Sequence, residues 1–256
     1  MSSFNDALKN IKIKNLAIII IVAYLGIFLL SQFSGPISFS WVYVIVIFYF
    51  IFMLKDYFNG FKQDVRDAFS KSQLRYVLLI VFLNIFFSYG MLYLANGIII
   101  QFPFLDFLVN FSIPSMSLVG YFPIAGSFIS TVVISPISEE FIFRGVFLNR
   151  LKLFVPTVFA IVITSLLFGS LHNFGSLISA FVFAVCMAIL YLKTDNICVP
   201  ILAHFLNNLF AEIIRSADVN ELLFTNGWVI GIVSILAIVS AILLFTSILN
   251  ELNKIK

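Results

Sequence analysis

Long apolar runs, repeated along nearly the whole chain and separated by short polar segments, limit the fold more than any other feature. Six of them, residues 16–30, 41–54, 76–100, 157–172, 175–192 and 227–249, contain no Asp, Glu, Lys or Arg. Two more, residues 121–151 (or from Ser117) and 199–214, are apolar apart from a few charged positions. At about 1.5 Å of rise per residue, some 20 such residues cross the hydrocarbon of a bilayer as a helix. In lipid every backbone N–H and C=O must be paired within the segment, which a helix achieves. The expectation is an all-α polytopic membrane protein with about eight transmembrane helices, residues 1–256 forming one integral domain.

Composition agrees. With 62% hydrophobic and 11% charged residues and a mean hydropathy of +1.12, the chain is excluded from the soluble class. The net charge of +3 does not signal a nucleic-acid partner, because its distribution follows the membrane. With a cytoplasmic N-terminus, eight spans put all fifteen Lys and Arg except Arg215 on the cytoplasmic side or at its helix ends. The loop over residues 102–120, which has no basic residue, then falls outside. Both termini are therefore expected to be cytoplasmic. Cys186 and Cys198 lie in or beside apolar spans without a partner motif and read as buried free thiols. The first run follows Lys9, Lys12 and Lys14 as a signal peptide would, but no small-residue cleavage site comes after it, so an uncleaved helix is expected.

Between the runs, Ser34-Gly35-Pro36 and Phe154-Val155-Pro156 read as turns, and Trp41 and Trp228 as interface anchors. Residues 55–75 form the longest polar stretch, with five basic and three acidic side chains among Phe58, Phe61, Val65, Ala68 and Phe69. Three- and four-residue apolar spacing fits an amphipathic helix on the membrane surface; a solvated loop fits the composition equally. Asn84, Ser88 and Asn96 are expected to hydrogen-bond between helices. The Gly227-x-x-x-Gly231 spacing is a weak helix-packing motif. Pro136 lacks an N–H and crowds the preceding turn, so it should kink its helix just before Glu139 and free a backbone carbonyl there.

Functional groups are confined to a few positions. Apart from Glu139 and Glu140, every Asp and Glu lies in a loop or near a span end, and the two histidines, His172 and His204, both fall in membrane-span sequence. A charge within the bilayer costs roughly 2.5–3.5 kcal/mol even on lenient scales, so it needs a partner or a purpose. Glu140 and Arg144 are four apart on one helix face and can pair. Glu139 lies about 100° round the helix and is left over. Taking the turn near Phe154, Glu139 stands fifteen residues before it and His172 eighteen after, so in an antiparallel hairpin they reach a similar depth. His204 follows Pro200 by only four residues and looks shallower; it joins them only if its helix is tilted or starts deep. His204 and Asn208 share a face. Ser135, Ser138, Thr164 and Ser165 are the candidates to line a water-filled cavity.

Taken in order on separate predicted helices, Glu139-Glu140-x-x-x-Arg144, Phe168-x-x-x-His172 and His204-x-x-x-Asn208 resemble the three-motif signature of the CPBP family. These are the CAAX prenyl endopeptidases and bacteriocin-processing proteins, also called Abi. The resemblance covers residues 124–210, which would be the catalytic core, and leaves the first hundred residues without a signature. It implies an eight-span intramembrane protease. Glu139 and His172 would activate a water for attack on a peptide carbonyl, His204 and Asn208 would stabilise the oxyanion, and Glu140 with Arg144 would hold the helix geometry. Desolvation makes a carboxylate a better base near neutral pH, and one oxyanion-hole donor is worth about 3–4 kcal/mol in a studied protease.

Two chemistries fit such a site. One Glu with two His is a recognised zinc triad, so a divalent metal on Glu139, His172 and His204 is one of them. The chain has no His-Glu-x-x-His, and metal-free catalysis is the favoured expectation. The implied partners are a membrane-associated peptide or protein substrate and the lipid bilayer. The alternative function is a non-catalytic membrane protein, an immunity protein or a regulator bound to a membrane protein such as a sensor kinase. A transporter would also bury ionisable groups, but it predicts broken helices in both halves. The Phe-, Ile-, Asn- and Lys-rich composition points to the plasma membrane of a bacterium.

Overall fold

The computed structural model describes residues 4–35, 37–38, 40–102 and 128–255. Among them the secondary structure is helical throughout. In chain order the helices are α1 (Phe4–Lys9), α2 (Ile13–Ser34), α3 (Trp41–Leu54), α4 (Phe58–Ala68) and α5 (Lys71–Gln101). A sixth, α6, runs without a break through Ser130–Ile134, Ser135–Glu140, Phe141–Leu148 and Asn149–Leu151. Then come α7 (Thr157–Gly169), α8 (Phe174–Thr194), α9 (Cys198–Ala217), α10 (Leu222–Thr225) and α11 (Gly227–Lys254). Each expected span overlaps a helix, although the one over 157–172 ends early, at Gly169. The loop over 102–120 with Pro103 and Pro114, and the start of the fourth span at Ser117 or Tyr121, lie outside the described residues.

Among the described residues, five helical stretches are long and apolar enough to cross a bilayer: Ile13–Ser34, Trp41–Ala68, Lys71–Gln101, Gly175–Thr194 and Gly227–Lys254. Thr157–Gly169 is apolar but shorter. The protein is thus an all-α polytopic membrane protein. One helix is central: 67% of the apolar window of α8 is buried, against 17–28% for the other four. The outer helices instead turn Ile, Leu and Phe outward, as a lipid-facing surface does, and Trp41 and Trp228 are exposed at helix starts.

Close contacts show how the helices pack. A Cβ on Gly169 would stand 3.1 Å from the Leu177 carbonyl oxygen, so α7 meets α8 almost backbone to backbone. A Cβ on Gly90 would lie 2.5 Å from that of Ala237, where α5 crosses α11. Gly227 and Gly231 meet nothing within 4 Å, so their motif is not a packing contact here. Residues 55–75 take the helical alternative: in α4, Phe61 and Val65 pack on the core and Ala68 is buried, while Lys62, Arg66 and Asp67 face out. Cys186 and Cys198 are both buried and free.

The N-terminal α1 has no counterpart among the expected elements. Phe4 and Leu8 are buried, and Leu8 fills the space that Gly145 leaves. Asn5 donates to Asp64 and accepts from the backbone N–H of Ile197, while Arg150 donates to the carbonyls of Asn10 and Ile11. These bonds tie one end of α4, α6 and α9 together.

Candidate active site

Pro136 organises the helix that carries the two glutamates. Ser130–Ile134 and Phe141–Leu148 are wound as π-helix, flanking the α-helical Ser135–Glu140. In the first π segment the Ser135 N–H bonds back five residues to the Ser130 carbonyl. The same register assigns the Thr131 carbonyl to the nitrogen of Pro136, which carries no hydrogen. Thr131 is the carbonyl expected to be freed near the site, and the Asn208 side chain caps it at 2.8 Å. π-Bulges of this kind are frequent at functional sites.

Both glutamates are buried, Glu140 completely. Arg144 donates to Glu140 Oε1 at 3.0 Å, as the spacing predicts, and to the Ala184 carbonyl of α8 at 3.0 Å. The Arg144 guanidinium also lies over the Phe168 ring, 4.9 Å from its centroid. Glu139 is not left free: its Oε1 accepts from the Tyr43 hydroxyl at 2.9 Å and from the Ser135 hydroxyl. That leaves Oε2 to face His204, whose Nε2 is 3.8 Å away. His204 Nδ1 lies 2.8 Å from Glu140 Oε1, so this imidazole is bracketed by both carboxylates.

This reverses the expected ranking of the histidines. His204, which looked too shallow, contacts both glutamates, and the residues that open α9, Ile197, Cys198 and Val199, are already buried within the fold. His172 makes no hydrogen bond or ion pair with Glu139. It follows the end of α7, with Nδ1 3.0 Å from the Phe168 carbonyl and its ring packed on Phe168. The Phe168 ring stands among Arg144, His172 and His204, which gives the first residue of that motif a physical role.

The nitrogens can be assigned from their partners. A carbonyl only accepts, so His172 Nδ1 carries the hydrogen; a carboxylate already paired with Arg144 demands the same of His204 Nδ1. In each neutral ring Nε2 is then the free lone pair, and His204 Nε2 donates to an oxyanion only when the ring is doubly protonated. Glu139, His172 and His204 are not drawn together as the side chains stand, since His172 bonds to the Phe168 carbonyl rather than to Glu139. Among the described residues no three His, Cys, Asp or Glu side chains come together as a metal-holding group.

A cavity of about 160 Å³ adjoins these groups, lined by Asn84, Ser88, Phe168, His172, His204 and Asn208 among others. The serines expected to line it do other work. Ser135 holds Glu139, Ser138 is buried against the Tyr43 carbonyl, and Thr164 bonds back to its own helix. Ser165 is buried with no hydrogen-bond partner among the described residues. The polar lining comes instead from α5, α8 and α9, with His172 between α7 and α8. Tyr43 went unnoticed in the sequence because a tyrosine two residues after Trp41 looks like an interface residue.

Residues 121–210 match a family model described as type II CAAX prenyl endopeptidase Rce1-like. A putative membrane peptidase, YdiL of Bacillus subtilis (strain 168), is 34% identical over 92 residues, which are 36% of this chain and 38% of that protein. The chain thus spans well under half the length of that relative. No solved structure matches. All seven residues of the three motifs fall inside the matched stretch.

Proposed function

On the premise that residues 121–210 are of the CPBP type, which both matches support, we propose that this protein is an intramembrane endopeptidase. It hydrolyses a peptide bond of a membrane-associated peptide or protein. The observation that carries the reading is the approach of Glu139 Oε2 to His204 Nε2, 3.8 Å apart, with His204 lining a cavity that holds several polar side chains. A carboxylate within reach of a bound water can take its proton as the water oxygen attacks the carbonyl carbon. The carbonyl electrons move to oxygen, and the tetrahedral intermediate collapses with protonation of the leaving amine.

Glu139 is the base, held in one orientation by Tyr43 and Ser135. His172 assists from across the cavity through its free Nε2. His204 and the second amide hydrogen of Asn208 serve the oxyanion. Glu140 and Arg144 fix His204 and lock α6 to α8. Eight spans with both termini cytoplasmic, in the plasma membrane of a bacterium, complete the reading.

Cleavage of quenched fluorogenic peptides by the purified protein in liposomes tests it. Glu139→Ala, His172→Ala and His204→Ala, each shown to be folded, are expected to lose activity. A chelator arm reversed by zinc would replace the glutamate-type chemistry with a metal-dependent one. If the protein cleaves nothing while Glu139→Ala keeps its cellular phenotype, the role is that of a membrane binding partner.

A further inference from the structure

Three asparagines from two helices form a chain that begins at the proline-freed carbonyl. Asn208 Nδ2 donates to the Thr131 carbonyl at 2.8 Å, Asn207 Nδ2 donates to Asn208 Oδ1 at 3.3 Å, and Asn84 Nδ2 donates to Asn207 Oδ1 at 2.9 Å. A carbonyl only accepts, so the direction of every bond follows from the Thr131 end and no amide can be turned round. The group left over is necessarily an acceptor, Asn84 Oδ1. Asn84 is 3% exposed, and this oxygen has no partner among the described residues. Buried polar atoms in native folds are almost always paired, so a lone buried acceptor in a residue that lines the cavity marks where a donor is meant to arrive.

Asn84 and Ser88 are one helical turn apart on α5, and both line the cavity of His172 and His204. Their spacing along the axis, about 6 Å, is close to the roughly 6.6 Å between same-side amides of an extended peptide. At about 160 Å³ this cavity is too small for a peptide, but it shares Ser88, Leu92 and Asn207 with a second one of about 610 Å³. That larger cavity reaches Glu212 and Asp218 at the far end of α9, leaving room for an extended chain alongside α5. We propose that Asn84 is a substrate-binding residue whose Oδ1 accepts a backbone N–H of the peptide being cleaved, with the Ser88 hydroxyl engaging the next amide on the same side. Asn84 lies outside the matched stretch of residues 121–210. The inference rests on the peptidase reading and adds the main-chain recognition that this reading lacks.

The test uses the full-length protein in liposomes and one quenched peptide that it cleaves, remade with each backbone nitrogen N-methylated in turn. At one position near the scissile bond, methylation is expected to raise the wild-type KM about tenfold. Asn84→Ala should bind the unmodified peptide about tenfold more weakly and show no further loss at that position. Asn84→Asp keeps an acceptor in place and should retain the sensitivity, which separates recognition from misfolding. If Asn84→Ala remains as sensitive as wild type at every methylated position, Asn84 does not hold the substrate. If the wild type cleaves no peptide at all, the peptidase reading fails and this inference goes with it.

Discussion

The two faces of α9 look onto cavities of opposite character. His204, Asn207 and Asn208 face a cavity of about 160 Å³ lined with amides, imidazoles and hydroxyls. Cys198, Ile201, Leu202 and Phe205 face one of about 640 Å³ whose walls, from α3, α4 and α6, are apolar almost throughout. The helix separates a place where water and charge can react from one where only hydrocarbon fits. Each kind of surface would harm the other's work: water in the apolar cavity gains nothing there, and lipid chains in the polar one would strand several hydrogen-bonding groups. On the proposed peptidase reading, such a divided helix would suit a substrate with a peptide part and an apolar part.

If the division holds, changes on the polar side should act on turnover and changes on the apolar side on binding. Glu139→Gln removes the base while keeping shape and should lower kcat by about 10²–10⁴-fold, with an unchanged thermal midpoint. Retained turnover would move the chemistry away from this face altogether. Arg144→Met leaves the Glu140 carboxylate buried without its cation and should cost about 3–5 kcal/mol of stability, read as a lowered unfolding midpoint in detergent. Tyr43→Phe removes one of the two donors on Glu139 Oε1. A hydrogen bond to a charged group is worth about 1.5–3 kcal/mol, and with Ser135 still in place the loss should be about tenfold in kcat at constant KM. Leu202→Ala, on the other face, already borders empty space and should cost below about 2 kcal/mol of stability. Its effect should appear in KM, and a fall in kcat alone would show that the two faces are not independent.

The helices and the Glu140–Arg144 pair were legible in the sequence because both depend on local spacing. His204 was placed too shallow because its depth was counted from Pro200 as though that residue marked the surface. Proline is tolerated in the first turn of a helix, and the turn before it is already buried in this fold. Tyr43 meets Glu139 across a separation of 96 residues, and no spacing rule reaches that far. Asn84 was rightly read as an interhelical hydrogen-bonding group, yet its unpartnered oxygen could be identified only once the direction of the amide chain was known.

Pro136 shows how a defect in one helix can become an instruction to two others. Its missing hydrogen is what sends the Thr131 carbonyl to Asn208, and through Asn207 decides which atom of Asn84 is left without a partner. An alanine at that position would restore the helix's own bond and relieve the crowding, so the repaired helix should be the more stable one. It would also release three amides to flip, and a site with a settled polarity would become one that has to choose. Here the flaw is the information, and mending it would erase what it says.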